Sequence, residues 1–177
     1  MPKFNIALVP IETHRDQFIN YATDLSSIKA AEYLLGEGSI PHVSLCQFEA
    51  EETEIINVVQ KMKALSLLPI QLTFSTQRCK TYPTHPLWGK WSWISLISDQ
   101  LDQLKSLHLQ VAQIVKPINA SFDDYDPHMT LFNSCNKEQS SKLNQSPQLK
   151  AALTGEFEII LGELDDVGQV VTILYHL

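Results

Sequence analysis

Two short stretches of the chain share one pattern, and the rest of the sequence is arranged around them: Pro41-His42-Val43-Ser44-Leu45 and Pro127-His128-Met129-Thr130-Leu131. Each stretch reads Pro-His-apolar-hydroxyl-Leu. The composition of the chain predicts about 0.1 chance copies of His-x-Ser/Thr-Leu, so two copies are unusual for so short a pattern. We therefore treat residues 41–45 (the first motif) and residues 127–131 (the second motif) as equivalent parts of a repeated unit.

Both motifs are predicted to begin β-strands. Side chains alternate between the two faces of a strand, so the histidine and the hydroxyl of each motif share one face while apolar residues anchor the other. Proline is tolerated at a strand entrance because its missing N–H is not needed there. Each motif should therefore present an imidazole and a hydroxyl side by side.

An imidazole beside a hydroxyl, present twice, suits the cleavage of a phosphoester. A neutral histidine can accept a proton from the attacking oxygen, and a protonated one can donate a proton to the leaving oxygen. The ordinary histidine pKa near 6.5 allows both forms near neutrality. The sequence thus predicts His42 and His128 as catalytic residues and Ser44 and Thr130 as phosphate-binding residues, with no metal or other cofactor.

The motif pair resembles the 2H phosphoesterase superfamily, which includes 2'-5' RNA ligase-like proteins and cyclic phosphodiesterases. The resemblance covers nearly the whole chain. It implies an α+β fold of two pseudo-symmetric lobes around a central cleft, each lobe an antiparallel sheet with outer helices. It also implies metal-independent action on 2',3'-cyclic phosphates or 2'-5' linkages. One departure is that bacterial ligase-like members often carry a basic residue soon after the second motif, where this chain has Phe132-Asn133-Ser134.

The order of predicted elements repeats along the chain. Hydrophobic periodicity predicts helices at 13–25, 27–35, 52–65, 98–115 and 137–153, and further strands at 4–9, 70–75, 91–97, 156–161 and 169–175. His128 follows His42 by 86 residues, and Trp91 follows Phe4 by 87. We therefore expect one bilobal domain over 1–177, with structural repeats at about 1–87 and 88–177.

Composition narrows the possible partners. A net charge of −7 disfavours a long phosphate backbone, whose binding relies on many lysine and arginine contacts, so we expect a small nucleotide or an RNA end. The three cysteines form no paired pattern and indicate free thiols in a reducing cytoplasm. There is no apolar run long enough for a membrane span, and the N-terminal residues show no secretory pattern. We also expect a monomer.

Three aromatic residues are candidates for stacking on a nucleotide base. Tyr82 and Trp88 lie in a predicted hairpin connection over 77–90 that mixes basic and aromatic residues, and Tyr125 lies three residues before His128. Stacking of a base on an aromatic ring is worth about 1–3 kcal/mol and tolerates any base. The alternative is that Trp88 begins a buried strand and that Tyr125 packs beneath its loop.

Other functions remain open at this point. The chain could be a module that binds a nucleotide or an RNA end without turnover, or a reversible 2'-5' RNA ligase. The two histidines could instead ligate a metal together with Asp126, although the paired hydroxyls would then have no purpose. They could also be two histidines that only pack on their strands, with the hydroxyls nearby by chance.

Overall fold

The computed structural model describes residues 1–26, 33–36, 38–81, 91–118, 125–134, 145 and 147–177. This part of the chain contains seven strands and three helices, in the order β1 (Lys3–Pro10), α1 (Glu12–Leu25), β2 (Val43–Glu49), α2 (Glu52–Ala64), β3 (Ile70–Thr81), β4 (Ser92–Ser98), α3 (Leu101–Ala112), β5 (Met129–Ser134), β6 (Gln148–Leu164) and β7 (Val170–His176). The strands pair antiparallel, which confirms the α+β class expected from the sequence.

The sheet has the strand order β2-β1-β6-β3-β4-β5, with β7 also paired to β6. The long strand β6 joins two groups of strands, because residues 157–163 pair with β1 and residues 148–157 pair with β3. The third strand of each half of the sequence therefore pairs with the first strand of the other half: β3 pairs with β4, and β6 pairs with β1. The two motif strands, β2 and β5, lie at opposite ends of this order.

Contacts between the segment before each motif and the opposite motif strand connect the two ends of the sheet. The Tyr125 hydroxyl, just before the second motif, donates a hydrogen bond to the carbonyl of Ser44 in β2 at 2.8 Å. In the other direction, the Leu35 amide donates to the carbonyl of Leu131 in β5 at 2.8 Å, and Leu34 forms an isolated bridge with Phe132. The segment before each motif thus contacts the strand of the other motif, which draws the two motifs together.

Helix α2 forms as its charge pattern predicts. Glu51 and Glu54 form a capping box at its start, and Lys61 and Lys63 lie in its last turn, where positive charge complements the helix dipole. Its apolar stripe is buried, consisting of Ile55, Val58, Val59 and Met62. The acidic run is therefore a helix start. Among the described helices, none combines the length and apolar character needed to cross a bilayer.

Three secondary-structure predictions are wrong. The hairpin connection expected over 77–90 does not begin at residue 77, because β3 continues to Thr81, and residues 82–90 lie outside the described residues. The helix expected over 137–153 is a strand from Gln148 onward, and residues 135–144 lie outside the described part of the chain. Pairing with β3, from Thr76 opposite Gln148 to Phe74 opposite Leu153, overrides the local helix preference of this alanine-containing stretch. In the helix expected over 27–35, residues 33–35 are not helical, and residues 27–32 are outside the described residues.

Candidate active site

The two motif histidines are held in the same way. Nδ1 of His42 lies 2.7 Å from the carbonyl of Ile40, and Nδ1 of His128 lies 2.7 Å from the carbonyl of Asp126. A carbonyl oxygen can only accept, so Nδ1 carries the hydrogen and donates it in both rings. Each ring is therefore left with Nε2 as the atom that can gain or lose a proton.

Each motif strand carries a β-bulge at the same position. The leucine that follows the hydroxyl residue is an extra residue, because the residues on either side of it pair with adjacent positions of the neighbouring strand. The pairs are Ser44–Ala7 and Cys46–Ile6 around Leu45, and Thr130–Ser95 and Phe132–Ile94 around Leu131. A bulge bends its strand and changes the direction of nearby side chains. The repeat therefore extends from the motif residues to the local backbone geometry.

His42 is buried, with 6% of its surface exposed. Burial lowers its pKa to about 4; the hydrogen bond to the Ile40 carbonyl and the charge of Asp165 act in the opposite direction, and the charge of His128 lowers the pKa further. Because the charge of His128 influences the pKa of His42, the two imidazoles lie close enough to interact electrostatically. His42 is therefore neutral near neutral pH.

His128 is half-buried and lies beside a cluster of charged residues. Burial lowers its pKa, the Asp126 carbonyl and carboxylate act in the opposite direction, and Arg78 and Lys80 lower it further. The Asp126 carboxylate accepts hydrogen bonds from both guanidinium nitrogens of Arg78, at 2.9 and 2.7 Å, and from Lys80 at 3.1 Å. Although burial raises the pKa of Asp126, these hydrogen bonds and charges outweigh that effect and lower it.

The oxygen of the Ser44 hydroxyl accepts a hydrogen bond from the buried side-chain amide of Asn5. Nδ2 of Asn5 donates to Oγ of Ser44 at 2.7 Å, which leaves the hydroxyl hydrogen of Ser44 available to a ligand. Asn5 is fully buried, and its Oδ1 has no hydrogen-bond partner among the described residues. Thr130, the equivalent hydroxyl residue in the second motif, is also buried.

Neither a protein-family model nor a curated protein sequence matches the chain. Solved structures do resemble it along its length. TT0787 of Thermus thermophilus has 15% sequence identity and a TM-score of 0.60, with 98% of this chain and 95% of that chain covered. Usb1 of Kluyveromyces marxianus has 14% identity and a TM-score of 0.59, covering 97% and 96%. E. coli LigT complexed with 3'-AMP has 14% identity and a TM-score of 0.59, covering 99% and 97%.

The chain has the fold of these proteins. A structure described as a phosphoesterase also matches, with 14% identity and a TM-score of 0.54, covering all of this chain and 98% of its own. These neighbours confirm the two-lobed fold that the sequence resemblance implied.

The stacking prediction for Tyr125 is wrong. Its ring is only 5% exposed, and it lies parallel to the ring of His108, with the centroids 4.1 Å apart and an interplanar angle of 8°. Its hydroxyl is bonded to the Ser44 carbonyl, so the side chain supports the first motif from within the core. Tyr82 and Trp88 lie outside the described residues.

The contacts of Asp126 disfavour the alternative in which it ligates a metal. Its carboxylate is occupied by Arg78 and Lys80, whose positive charges oppose a cation at the same oxygens. Within the described part of the chain, no three histidine, cysteine, aspartate or glutamate side chains are grouped so that they could hold a metal ion.

The surroundings of the two motifs are only partly visible in the sequence. Asn5 could have been suspected, because it is an amide inside an otherwise apolar strand. Arg78 and Lys80 stand in the sequence only as part of a basic stretch, because nothing in the sequence places β3 beside the second motif. Nothing in the sequence indicates that Nδ1 of His108 lies 2.7 Å from the carbonyl of Leu45, because the two residues are 63 positions apart.

Proposed function

We propose that this protein is a 2H-type phosphoesterase that cleaves a 2',3'-cyclic phosphate or a 2'-5' linkage in a nucleotide or at an RNA end. The observation that carries the proposal is the equivalence of the two histidines. Both donate Nδ1–H to a carbonyl two residues upstream at 2.7 Å, and both precede a hydroxyl residue and a bulge. Core packing alone does not require two histidines held in the same way. Acid–base chemistry on one phosphate does require two, one as the acid and one as the base.

The geometry suits a transfer of two protons around phosphorus. Because each Nδ1 hydrogen is bound to a carbonyl, each ring can exchange a proton only at Nε2. One neutral Nε2 accepts the proton of the attacking water, and the other, protonated Nε2 donates its proton to the ribose oxygen as the phosphorus–oxygen bond breaks. The hydroxyls of Ser44 and Thr130 donate hydrogen bonds to the non-bridging phosphate oxygens.

The charge distribution supports a small anionic substrate. The chain has a net charge of −7, yet Arg78 and Lys80 lie close enough to His128 to lower its pKa. A local positive field on an acidic protein attracts one or a few phosphates and opposes a long backbone. The neighbour LigT has been solved with 3'-AMP, and Usb1 with uridine monophosphate, which are ligands of the proposed size. Tyr82 and Trp88 are our candidates for stacking on the base.

We expect the protein to act as a monomer in the cytoplasm and to need no cofactor. Cys46 is a buried thiol outside any disulfide, as in a reducing compartment. Burial raises the pKa of Cys46 to about 12, so this thiol stays protonated and serves packing.

The test is hydrolysis of nucleoside 2',3'-cyclic phosphates and 2'-5' dinucleotides in the presence of a metal chelator. His42→Ala and His128→Ala should each lower kcat by about 10² to 10⁴, the usual contribution of a general acid or base. His176→Ala, which changes an exposed histidine on β7, is the matched control and should keep wild-type activity. Binding without turnover would identify a binding module, and full activity in the double histidine variant would refute the mechanism.

A further inference from the structure

Two side chains from elsewhere in the chain hold the bulge of the first motif. The Tyr125 hydroxyl donates to the carbonyl of Ser44 at 2.8 Å, and Nδ1 of His108 donates to the carbonyl of Leu45 at 2.7 Å. Both side chains are buried, with 5% and 1% of their surfaces exposed, and their rings are stacked. We call Tyr125 and His108 the bulge clasp.

The clasp acts where the sheet gives the backbone least support. β2 is an end strand, and Leu45 is the residue left out of its pairing with β1. An extra residue in a bulge is not fixed by ladder hydrogen bonds. The two carbonyls belong to the peptide planes on either side of Leu45, so two hydrogen bonds from the clasp fix both planes. The first of these planes, which Tyr125 holds, adjoins the Ser44 Cα and therefore sets the direction of the Ser44 side chain; the second, which His108 holds, fixes the bulged Leu45 that follows.

The clasp also connects the two motifs. Tyr125 is followed by Asp126, whose carbonyl accepts the hydrogen bond from Nδ1 of His128. The side chain of Tyr125 therefore holds the first motif, and the main chain of the next residue, Asp126, holds the second. The second motif has a counterpart, since its bulge carbonyl, that of Leu131, accepts from the Leu35 amide. The bulge carbonyl of each motif is thus held by a segment outside its own strand.

We infer that Tyr125 and His108 are positioning residues, which hold the first motif so that the Ser44 hydroxyl meets the same phosphate as the second motif. Neither touches the substrate, because both are buried beneath β2. This inference rests on the proposed function and adds to it the residues that align its two halves.

Tyr125→Phe tests the inference because it removes one hydroxyl and keeps the stacked ring. It should lower kcat by about tenfold to a hundredfold, the scale of a small misplacement in an active site, with little change in KM. Tyr21→Phe is the matched control, since it removes a 2.9 Å hydrogen bond from the Tyr21 hydroxyl to Gln77, outside both motifs, and should leave kcat unchanged. An unchanged kcat in folded Tyr125→Phe would overturn the inference.

A double-mutant cycle separates positioning from a general loss of stability. If Tyr125 acts through Ser44, then Tyr125→Phe should lower kcat by less than about threefold in a Ser44→Ala background, because the hydroxyl to be placed is already gone. Equal factors in both backgrounds would contradict positioning. His108→Asn keeps an N–H donor near the position of Nδ1 and should retain more kcat than His108→Leu; the reverse order would also count against the clasp.

An NMR measurement makes the test independent of turnover. Tyr125→Phe should shift the backbone amide signals of Leu45 and Cys46, the two peptide groups whose carbonyls the clasp holds, and Tyr21→Phe should leave them in place. If the wild type cleaves neither 2',3'-cyclic AMP nor a 2'-5' dinucleotide, the proposed function fails and these shifts still report on the clasp. Unmoved signals in Tyr125→Phe would refute the clasp itself.

Discussion

Replacing His42 by glutamine should make the folded protein less sensitive to acid between about pH 6.5 and pH 4. In the folded chain, burial lowers the pKa of His42 to about 4, whereas the unfolded chain has the ordinary value of 6.5. Between these values the unfolded state binds a proton that the folded state does not. The contribution of His42 to stability is therefore fully present above pH 6.5 and is lost as the pH falls toward 4.

The size of the effect follows from the difference between the two pKa values. Each pKa unit corresponds to about 1.36 kcal/mol, so lowering the pH through this range should remove about 3 kcal/mol of unfolding free energy through His42 alone. Glutamine takes up no proton, so His42→Gln lacks this loss. Asp126 and His128 titrate in both proteins, and their effects largely cancel when wild type and variant are compared.

The assay is urea unfolding of wild type and His42→Gln at several pH values from 7 to 4. The wild type should lose about 3 kcal/mol more than the variant across that range. An NMR titration should independently find the His42 imidazole protonating near pH 4. A constant difference in stability at all pH values, or a His42 that titrates near its ordinary pKa, would contradict the burial of His42 in its neutral form.

Two further predictions concern the pH dependence of catalysis. The pKa values of both histidines are lowered by burial, so kcat/KM for a 2',3'-cyclic nucleotide should follow a bell-shaped profile with its maximum below about pH 6.5; a maximum well above pH 7 would contradict the assignment. Asp126→Asn removes the carboxylate that raises the pKa of His128 and leaves Arg78 and Lys80 to lower it, so the maximum should move to still lower pH, and high salt should reduce the difference between variant and wild type.

Local patterns in the sequence were enough for the motifs and for most elements. Helix α2 follows from its acidic start, its basic end and its apolar stripe, all within one segment. The motif strands follow from period-two alternation, and their equivalence follows from the repeated pattern. The resemblance carried by the motifs supplied the two-lobed architecture, which the solved neighbours confirm as a fold.

The remaining features depend on residues far apart in the sequence. The first part of β6 has local helix-forming character and becomes a strand only because β3, which lies over 60 residues earlier, pairs with it. The bulges at Leu45 and Leu131 leave no sequence signal. The contact of Tyr125 with Ser44 joins residues separated by 81 positions. Such contacts are set by tertiary packing, which no single segment encodes.

The proposed function requires that His42 and His128 act on one phosphate. The most direct test is a crystal structure of the protein with a bound nucleoside 2'-monophosphate. We expect Nε2 of both histidines to lie within hydrogen-bond distance of oxygens of the same phosphate, with the Ser44 and Thr130 hydroxyls on its remaining oxygens, and both Nδ1 atoms to keep their carbonyl partners. A phosphate that contacts only one of the two imidazoles, or that binds away from both, would contradict it.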